Sequence, residues 1–363
     1  MDNVLTLDGA RGEGGGQILR TALSLSAITT RAFRLVNLRA GRRNPGLLPQ
    51  HLSAVRAAAA VTDAVVSGDR LASIELRFSP QRPAKAGSYA IDVAETAERG
   101  SAGSVTLILQ TLLVPLALVE GMSTLVLRGG THVEWSPPFN DIANAYLPAL
   151  RHIGFQAEAE LRQWGWYPLG GGEVLCRVTG RPSSYGKPTL VPRPMDALMR
   201  GELKRISGRA VAANLPAHIP QRMADRARGG LCDMGVPIDI EPQRATAACP
   251  GAGIFLLAEY EPFAASFSAY GRLGKPSETV ADEAVARLRE HHDSGAVIER
   301  HLADQLLVPL AIAAGPSAFT VAQATDHLVT NAWTIGQFGA ADIEIEGHAP
   351  CRVRILPRAQ HPS

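Results

Sequence analysis

The chain alternates apolar stretches with short polar loops, and one apolar stretch recurs letter for letter. The hexapeptide LLVPLA occupies Leu112 to Ala117 and again Leu306 to Ala311, each time shortly after a glutamine, Gln110 and Gln305. A weaker copy, QILRTALSL, begins at Gln17. These stretches are apolar nearly all round, which predicts helices buried against a sheet rather than lying on the surface. Pro115 and Pro309 predict a kink or a late helix boundary, since an interior proline removes a helical hydrogen bond. Each copy is followed by a β-rich run, a polar loop and a second amphipathic stretch. The runs are Phe33 to Leu38, Thr124 to Leu127 and Ala318 to Ala322. Such self-similarity sets the architecture before any single residue is read.

The spacing of the glutamines breaks the repeat once. Gln17 and Gln110 are 93 residues apart, whereas Gln110 and Gln305 are 195 apart, an excess of 102. The third repeat is therefore interrupted by an inserted domain, bounded by the Gly and Pro punctuation of RPSSYGKP and GRLGKPSE. This gives a larger domain over 1–183 and 277–363 and an inserted one over 184–276. Within the insert, Gln221 to Met234 predicts a helix and Gly253 to Tyr260 a strand, enough for a small α/β or α+β unit. A chain of 363 residues supports both cores.

Composition narrows the function classes. Hydrophobic residues make up 46% and charged residues 19%, which excludes bulk disorder. The net charge of +2 excludes a polycation that holds nucleic acid by its overall field, so any such binding rests on a local patch. Cys176, Cys232, Cys249 and Cys351 form no C-x-x-C pair, which fits a reduced, cytoplasmic setting. No secretory signal is visible. The longest apolar stretches, Leu107 to Val119 and Leu306 to Ala314, fall short of the roughly 20 residues a membrane span needs. The terminal LPRAQHPS reads as an untethered tail.

If the repeats are equivalent, the loops after their middle strands gather at comparable edges, where polar function concentrates. These loops are RAGRRNPGLLPQH, RGGTHVEWSPPFND and AQATDHLVTN. Arg31, Arg34, Arg39, Arg42 and Arg43 cluster around the first without an acid among them, and guanidinium groups suit phosphate contacts. GARGEGGGQILR, residues 9 to 20, is a glycine loop opening into a helix, where backbone amides and the helix dipole favour an anion. It is neither a Walker A loop nor a dinucleotide fingerprint. Glu13 among those glycines is a candidate magnesium ligand, and Arg20 is placed to point back to the same space. His51 and His327 occupy matching places, in Gln-His-Leu and Asp-His-Leu, and His301 precedes the second LLVPLA helix. For His327, a cap by Thr325 or Asp326 and the helix dipole favour a neutral, nucleophilic imidazole. No G-x-S-x-G elbow and no paired-carboxylate motif is present.

Together these segments resemble the RNA 3'-terminal phosphate cyclase family. The resemblance runs from LDGARGEGGGQILRTALSLS through RAGRRNPGLLPQHLSAV, GSAGSVTLILQTLL, GGTHVEWSPPFNDI, GWYPLGGGEV and HLADQLLVPLA to TDHLVTN, and is loose across the insert. It implies an α/β (α+β) fold with a larger domain of three βαβαββ-type repeats and a smaller inserted thioredoxin-like domain. It implies an enzyme that uses ATP to convert an RNA 3'-phosphate into a 2',3'-cyclic phosphate through a covalent histidine–AMP intermediate. By that resemblance His327 is the nucleophile, and Gln110, Pro137, Pro138, Phe267, His301, Asp304 and Gln305 bind ATP. Arg20, Arg39, Arg42, Gln50 and His51 bind phosphate or RNA, and Glu13 helps hold Mg²⁺ or Mn²⁺. Two alternatives stand beside it: a catalytically silent relative that serves as a scaffold in ribosomal RNA processing, and an enolpyruvyl transferase, whose fold has similar repeated units.

Overall fold

Helices and strands alternate along the computed structural model, which describes residues 4–96, 101–181 and 191–358. The first stretch forms β1 (Leu5–Asp8), α1 (Gln17–Thr29), β2 (Phe33–Val36), α2 (Pro49–Thr62), β3 (Val65–Ser67) and β4 (Leu76–Ser79). Its sheet has the order β1-β2-β4-β3, the first pair parallel and the others antiparallel. Next come β5 (Ser88–Asp92), α3 (Val105–Ala117), β6 (Met122–Gly129), α4 (Phe139–Asp141), α5 (Leu147–His152), β7 (Gln156–Gln163) and β8 (Gly172–Thr179). The order β5-β6-β8-β7 repeats the first pattern of parallel and antiparallel pairs.

The two-residue strand β9 (Asp196–Ala197) precedes a different arrangement: β10 (Leu203–Ala213), α6 (His218–Leu231), β11 (Ile238–Ala245), β12 (Gly251–Tyr260), β13 (Ala264–Tyr270) and α7 (Ser277–Ser294). Its sheet runs β11-β10-β12-β13 with only β10 and β11 parallel. The chain then forms α8 (Arg300–Ala311), β14 (Ser317–Val321), α9 (Asp326–Phe338), β15 (Ala341–Glu346) and β16 (Cys351–Pro357). These last strands join β9 in the order β15-β16-β14-β9, with β9 and β14 parallel, the same pattern again.

The apolar repeat explains the centre of the larger core. Leu19 and Leu23 of α1, Leu112 and Leu113 of α3, and Leu306 and Leu307 of α8 are fully buried in one cluster. Such helices need no polar face, because sheets and neighbouring helices cover them on all sides. Pro115 and Pro309 sit in the last turn, and both helices end two residues later, at Ala117 and Ala311. A second cluster lies between α6, α7 and the sheet of β10–β13, and includes Met223, Leu231, Ile254, Val280 and Leu288.

That second core does not coincide with 184–276. Met195 and Ala197 belong to the larger core, whereas Val280, Ala284 and Leu288 of α7, past 276, belong to the smaller one. The Gly-Pro turn before α7 reverses the chain without leaving the unit, so the helix folds back onto its own sheet. Residue 184 itself lies outside the described residues. A third cluster joins the two sheets through Trp166, Val211, Cys249 and Phe255. There His132 stacks on Trp164 at 4.3 Å and Trp164 lies nearly parallel to Trp166 at 5.8 Å. At the C-terminus, Leu356 and Pro357 pair with Asp342 and Ala341 in the sheet, and Arg358 bonds Asp342, so the chain is tethered as far as residue 358. No helix of the described residues is long and apolar enough to cross a membrane.

Candidate active site

The glycine-rich turn between β1 and α1 is a close fit rather than a slack link. Gly12 and Gly14 have φ of 62° and 59°, the left-handed region that glycine enters without penalty. A Cβ on Gly15 would lie 2.2 Å from the Glu13 carboxylate, and one on Gly16 would lie 2.3 Å from Nε2 of His51. The missing side chains let these polar groups close over the N-terminus of α1. Arg11 in the same turn lies over the ring of Trp333 on α9, at 5.1 Å.

Glu13 connects three elements. Nη2 of Arg42 donates to its carboxylate and, at 2.9 Å, to its backbone carbonyl. Its Oε2 lies 3.5 Å from Nε2 of His327. His327 occupies the first turn of α9, which begins where Oγ1 of Thr325 accepts the Leu328 amide at 3.1 Å. Burial holds the imidazole below its ordinary pKa, aided by Arg20, His301 and Arg42 and opposed by Glu13. The ring is therefore neutral near physiological pH, with Nε2 turned to the glycine turn.

His51 is buried, and its Nδ1 accepts the Leu48 amide at 3.2 Å. Burial, with Arg20 and Arg39 nearby, holds it well below the ordinary histidine value, so the proton of the neutral ring sits on Nε2. Arg39 adopts φ of 52° and donates from Nη1 to the carbonyls of Asn44 and Gly46, at 2.7 and 2.9 Å. It thus shapes the arginine loop from within.

A polar cavity between α1, α3, α8 and α9 is lined by Gln17, Arg20, Gln110, Asp304, Gln305 and Asn331. The two glutamines of the repeated helices meet there, Nε2 of Gln110 donating to Oε1 of Gln305 at 2.6 Å. Arg20 donates to Gln17. Burial lowers its pKa to about 10, while Asp304 and Glu13 pull it up, so its charge faces both the cavity and the glycine turn. Asn331 is buried and donates to the Asp304 carbonyl at 3.0 Å while accepting from Thr21.

A separate cleft between β13, α7 and α8 is lined by residues including Asp141, Ser266, Phe267, Arg287, Glu299 and His301. His301 is exposed at the start of α8, where the Glu299 carboxylate accepts the amides of His301 and Leu302 at 2.8 and 3.1 Å. Ser266 donates to Asp141, whose carboxyl is pushed up to about 7 by burial.

The residues singled out from sequence thus fall in three neighbouring groups. Glu13, Arg20, Arg42, His51 and His327 share the glycine turn, while Gln110, Asp304 and Gln305 share the cavity that Arg20 borders. Phe267 and His301 line the cleft. Gln50, Pro137 and Pro138 lie among none of the lining residues. Gln50 accepts the Ser104 amide at 3.1 Å, Pro137 accepts from Thr106 at 2.7 Å, and Pro138 opens α4, which carries Asp141 into the cleft. Asn331 and Asp141 lie inside TDHLVTN and PPFND, where spacing alone assigns them no role. Ser266 and Arg287 had no signal of their own, because their role in the cleft arises from the packing of β13 against α7.

Among the described residues no group of three His, Cys, Asp or Glu side chains could hold a metal unaided. Mg²⁺ commonly keeps waters and phosphate oxygens and needs only one or two carboxylates, so Glu13 fits an ion that arrives with a triphosphate.

Asp304 makes a pH-dependent contribution to stability. Burial pushes its carboxyl up to about 8. Between about pH 4 and pH 8 the folded chain keeps a proton that the unfolded chain releases, so this group's contribution is lost as pH rises. The wild type is expected to lose on the order of 4 kcal/mol across that window relative to Asp304→Asn. Thermal unfolding of both proteins at pH 5 and pH 8 checks this, and parallel shifts would refute it.

A neutral imidazole beside a glycine-lined helix N-terminus, with arginines on two sides, defines an α/β site suited to phosphoryl or nucleotidyl groups. The model of the family described as RNA 3'-terminal phosphate cyclase matches residues 11–345, and the chain belongs to that family. It is 52% identical over 342 residues to the RNA 3'-terminal phosphate cyclase of Methylococcus capsulatus, covering 94% of this chain and 93% of that protein. The protein of the same name from Gloeothece citriformis is 50% identical, covering 94% and 95%, and that from Pyrococcus furiosus is 38% identical, covering 95% and 96%. The enolpyruvyl transferase NikO from Streptomyces tendae aligns with a TM-score of 0.22 and 11% identity over 98% of this chain and 81% of that one, too weak to bear on fold or activity.

Proposed function

We propose that this chain converts an RNA 3'-terminal phosphate into a 2',3'-cyclic phosphate at the expense of ATP, with His327 as nucleophile. The observation that carries the reading is the neutral His327 imidazole, its Nε2 3.5 Å from Glu13 and within the field of Arg20 and Arg42. Nε2 attacks the α-phosphorus of ATP, an N–P bond forms and the bond to pyrophosphate breaks. An oxygen of the RNA 3'-phosphate then displaces the histidine from that phosphorus, leaving AMP joined to the RNA end. The ribose 2'-hydroxyl attacks the RNA phosphorus, its proton passes to solvent, and AMP leaves. Arg20 and Arg42 offset the phosphate charge at each stage. Glu13 would hold a divalent ion arriving with the triphosphate, which would supply further neutralisation of the leaving pyrophosphate.

In this reading Gln110, Asp304 and Gln305, with the cleft of Phe267 and His301, take up the nucleotide, and Pro137 and Pro138 border it. Arg39, Gln50 and His51 serve the RNA end. The three sheets of common strand order are the βαβαββ repeats, and the β10–β13 unit with α6 and α7 is the insert, spanning about 198 to 295. A cytoplasmic setting belongs to the same reading.

The test is incubation of the purified protein with α-labelled ATP and Mg²⁺ or Mn²⁺ in the absence of RNA. Protein-bound label that is acid-labile, alkali-stable and discharged by RNA with a 3'-phosphate is expected. A folded, ATP-binding sample that takes up no label would overturn the reading.

A further inference from the structure

Trp135 is 97% exposed, yet the loop that carries it is firmly anchored. Gly130 bonds Gly103 at 2.9 Å, Thr131 bonds Gly165 at 3.0 Å, and the Phe139 amide returns to the Thr131 carbonyl at 3.0 Å. The His132 ring is fixed between Thr131 and Asn140 at 2.7 and 2.8 Å, and Ser136 Oγ donates to the Val133 carbonyl at 3.0 Å. At the tip of this braced loop Trp135 has φ of 65°, a conformation that a bulky side chain seldom adopts. An isolated surface hydrophobe needs no explanation. A tryptophan held out of contact on strained backbone in a fixed loop does, because such strain persists only where the surroundings impose it and concentrates at functional sites.

The position of the loop points to its ligand. Thr106 bonds both Pro137 and Ser104, at 2.7 Å each, and the Ser104 amide donates to Gln50. A chain of hydrogen bonds thus leads from the Trp135 loop to Gln50, beside His51 and the arginine loop. On the adjoining turn, joined through a bridge between His132 and Trp166, Tyr167 is 77% exposed. Phosphate-binding groups next to exposed aromatic rings are the two parts of a single-strand nucleic-acid site, in which a base stacks on the ring while the backbone meets the cations.

We infer that Trp135 is a stacking platform for a nucleobase near the 3'-end of the RNA. The inference rests on the reading of the chain as an RNA 3'-end enzyme and adds a base contact to it. Every base has a π-face, so the contact raises affinity without selecting sequence.

The test compares wild type, Trp135→Ala and Trp135→Phe by fluorescence anisotropy, using oligoribonucleotides that end in a 3'-phosphate. One set is intact, and another carries an abasic ribose at each of the last three positions in turn. Trp135→Ala is expected to weaken binding of the intact RNA by roughly 5- to 150-fold, with Trp135→Phe recovering most of it. Abasic substitution at one position should remove the difference between wild type and Trp135→Ala. Unchanged affinity in Trp135→Ala, or an equal loss with every abasic RNA, overturns the proposal. So does a change in oligomeric state with RNA binding intact, which would make Trp135 a contact between copies of the chain. Loss of RNA-free adenylylation in parallel with the loss of RNA affinity would move Trp135 to the nucleotide and also overturn it. A wild type that binds RNA but neither labels nor cyclises strikes the enzymatic reading instead, and the affinities still decide the base contact.

Discussion

His327→Ala is expected to abolish covalent labelling by ATP while leaving the fold intact. The side chain is 43% exposed and fills no core position, so its removal opens no cavity. Loss of a nucleophile costs on the order of 10⁴-fold or more in rate, since no neighbouring group substitutes for the bond it forms. His51, the matching histidine on α2, cannot take over, because its Nδ1 is committed to Leu48 and its Nε2 is packed against Gly16. Label uptake and thermal unfolding measured on the same preparation check the claim. A variant that labels at the wild-type rate would show that another residue carries the AMP.

Arg20→Ala should damage both activity and stability. Arg20 stands between Glu13 and Asp304, and both raise its pKa through their charge. Without it Asp304 loses the cation beside it, whereas Glu13 keeps Arg42. Because Asp304 keeps its proton below about pH 8, the stability lost at neutral pH is on the order of 1 kcal/mol and grows as pH rises through that value. The rate of adenylylation should fall by about 10² to 10³, the scale of losing one preorganised donor to a phosphate in transition. Arg20→Lys restores the charge but not the two-pronged geometry, so it should recover stability better than rate. Denaturant unfolding and labelling rates separate the two effects. Equal recovery of both in Arg20→Lys would mean that only the charge matters.

Much of the scaffold is legible in the chain, and the gaps have physical causes. The recurrence of LLVPLA announces α3 and α8 as buried helices because full burial removes the need for a polar face. The ends of α3 and α8 follow from their prolines. The strand β9 has only two residues and joins its sheet by contact with β14, so no local pattern could reveal it. The extent of the smaller core is hidden for a similar reason. Gly and Pro before α7 mark a turn, and a turn says nothing about which sheet the next helix will cover. At the site, glycine spacing shows a tight turn, and the segment TDHLVTN shows a capped helix start. That Glu13 touches His327, or that Gln110 bonds Gln305, is a tertiary fact without a trace in spacing. Asn331 is harder still, since a buried asparagine earns its place through partners on two other helices, Thr21 and Asp304.

The placement of the four tryptophans turns the protein into its own optical instrument. Trp333 lies under Arg11 of the glycine turn, and the parallel pair Trp164 and Trp166 marks the seam between two sheets. Trp135 stands in water. A change in Trp333 emission is the expected sign of a shift of the turn against α9. The stacked pair shares its excitation and reports strain across the seam. The red-shifted fluorescence of the last is open to quenchers added from solution. Replacing the tryptophans by phenylalanine in turn would separate their signals, so that the glycine turn, the seam and the exposed loop are each followed without attaching a dye.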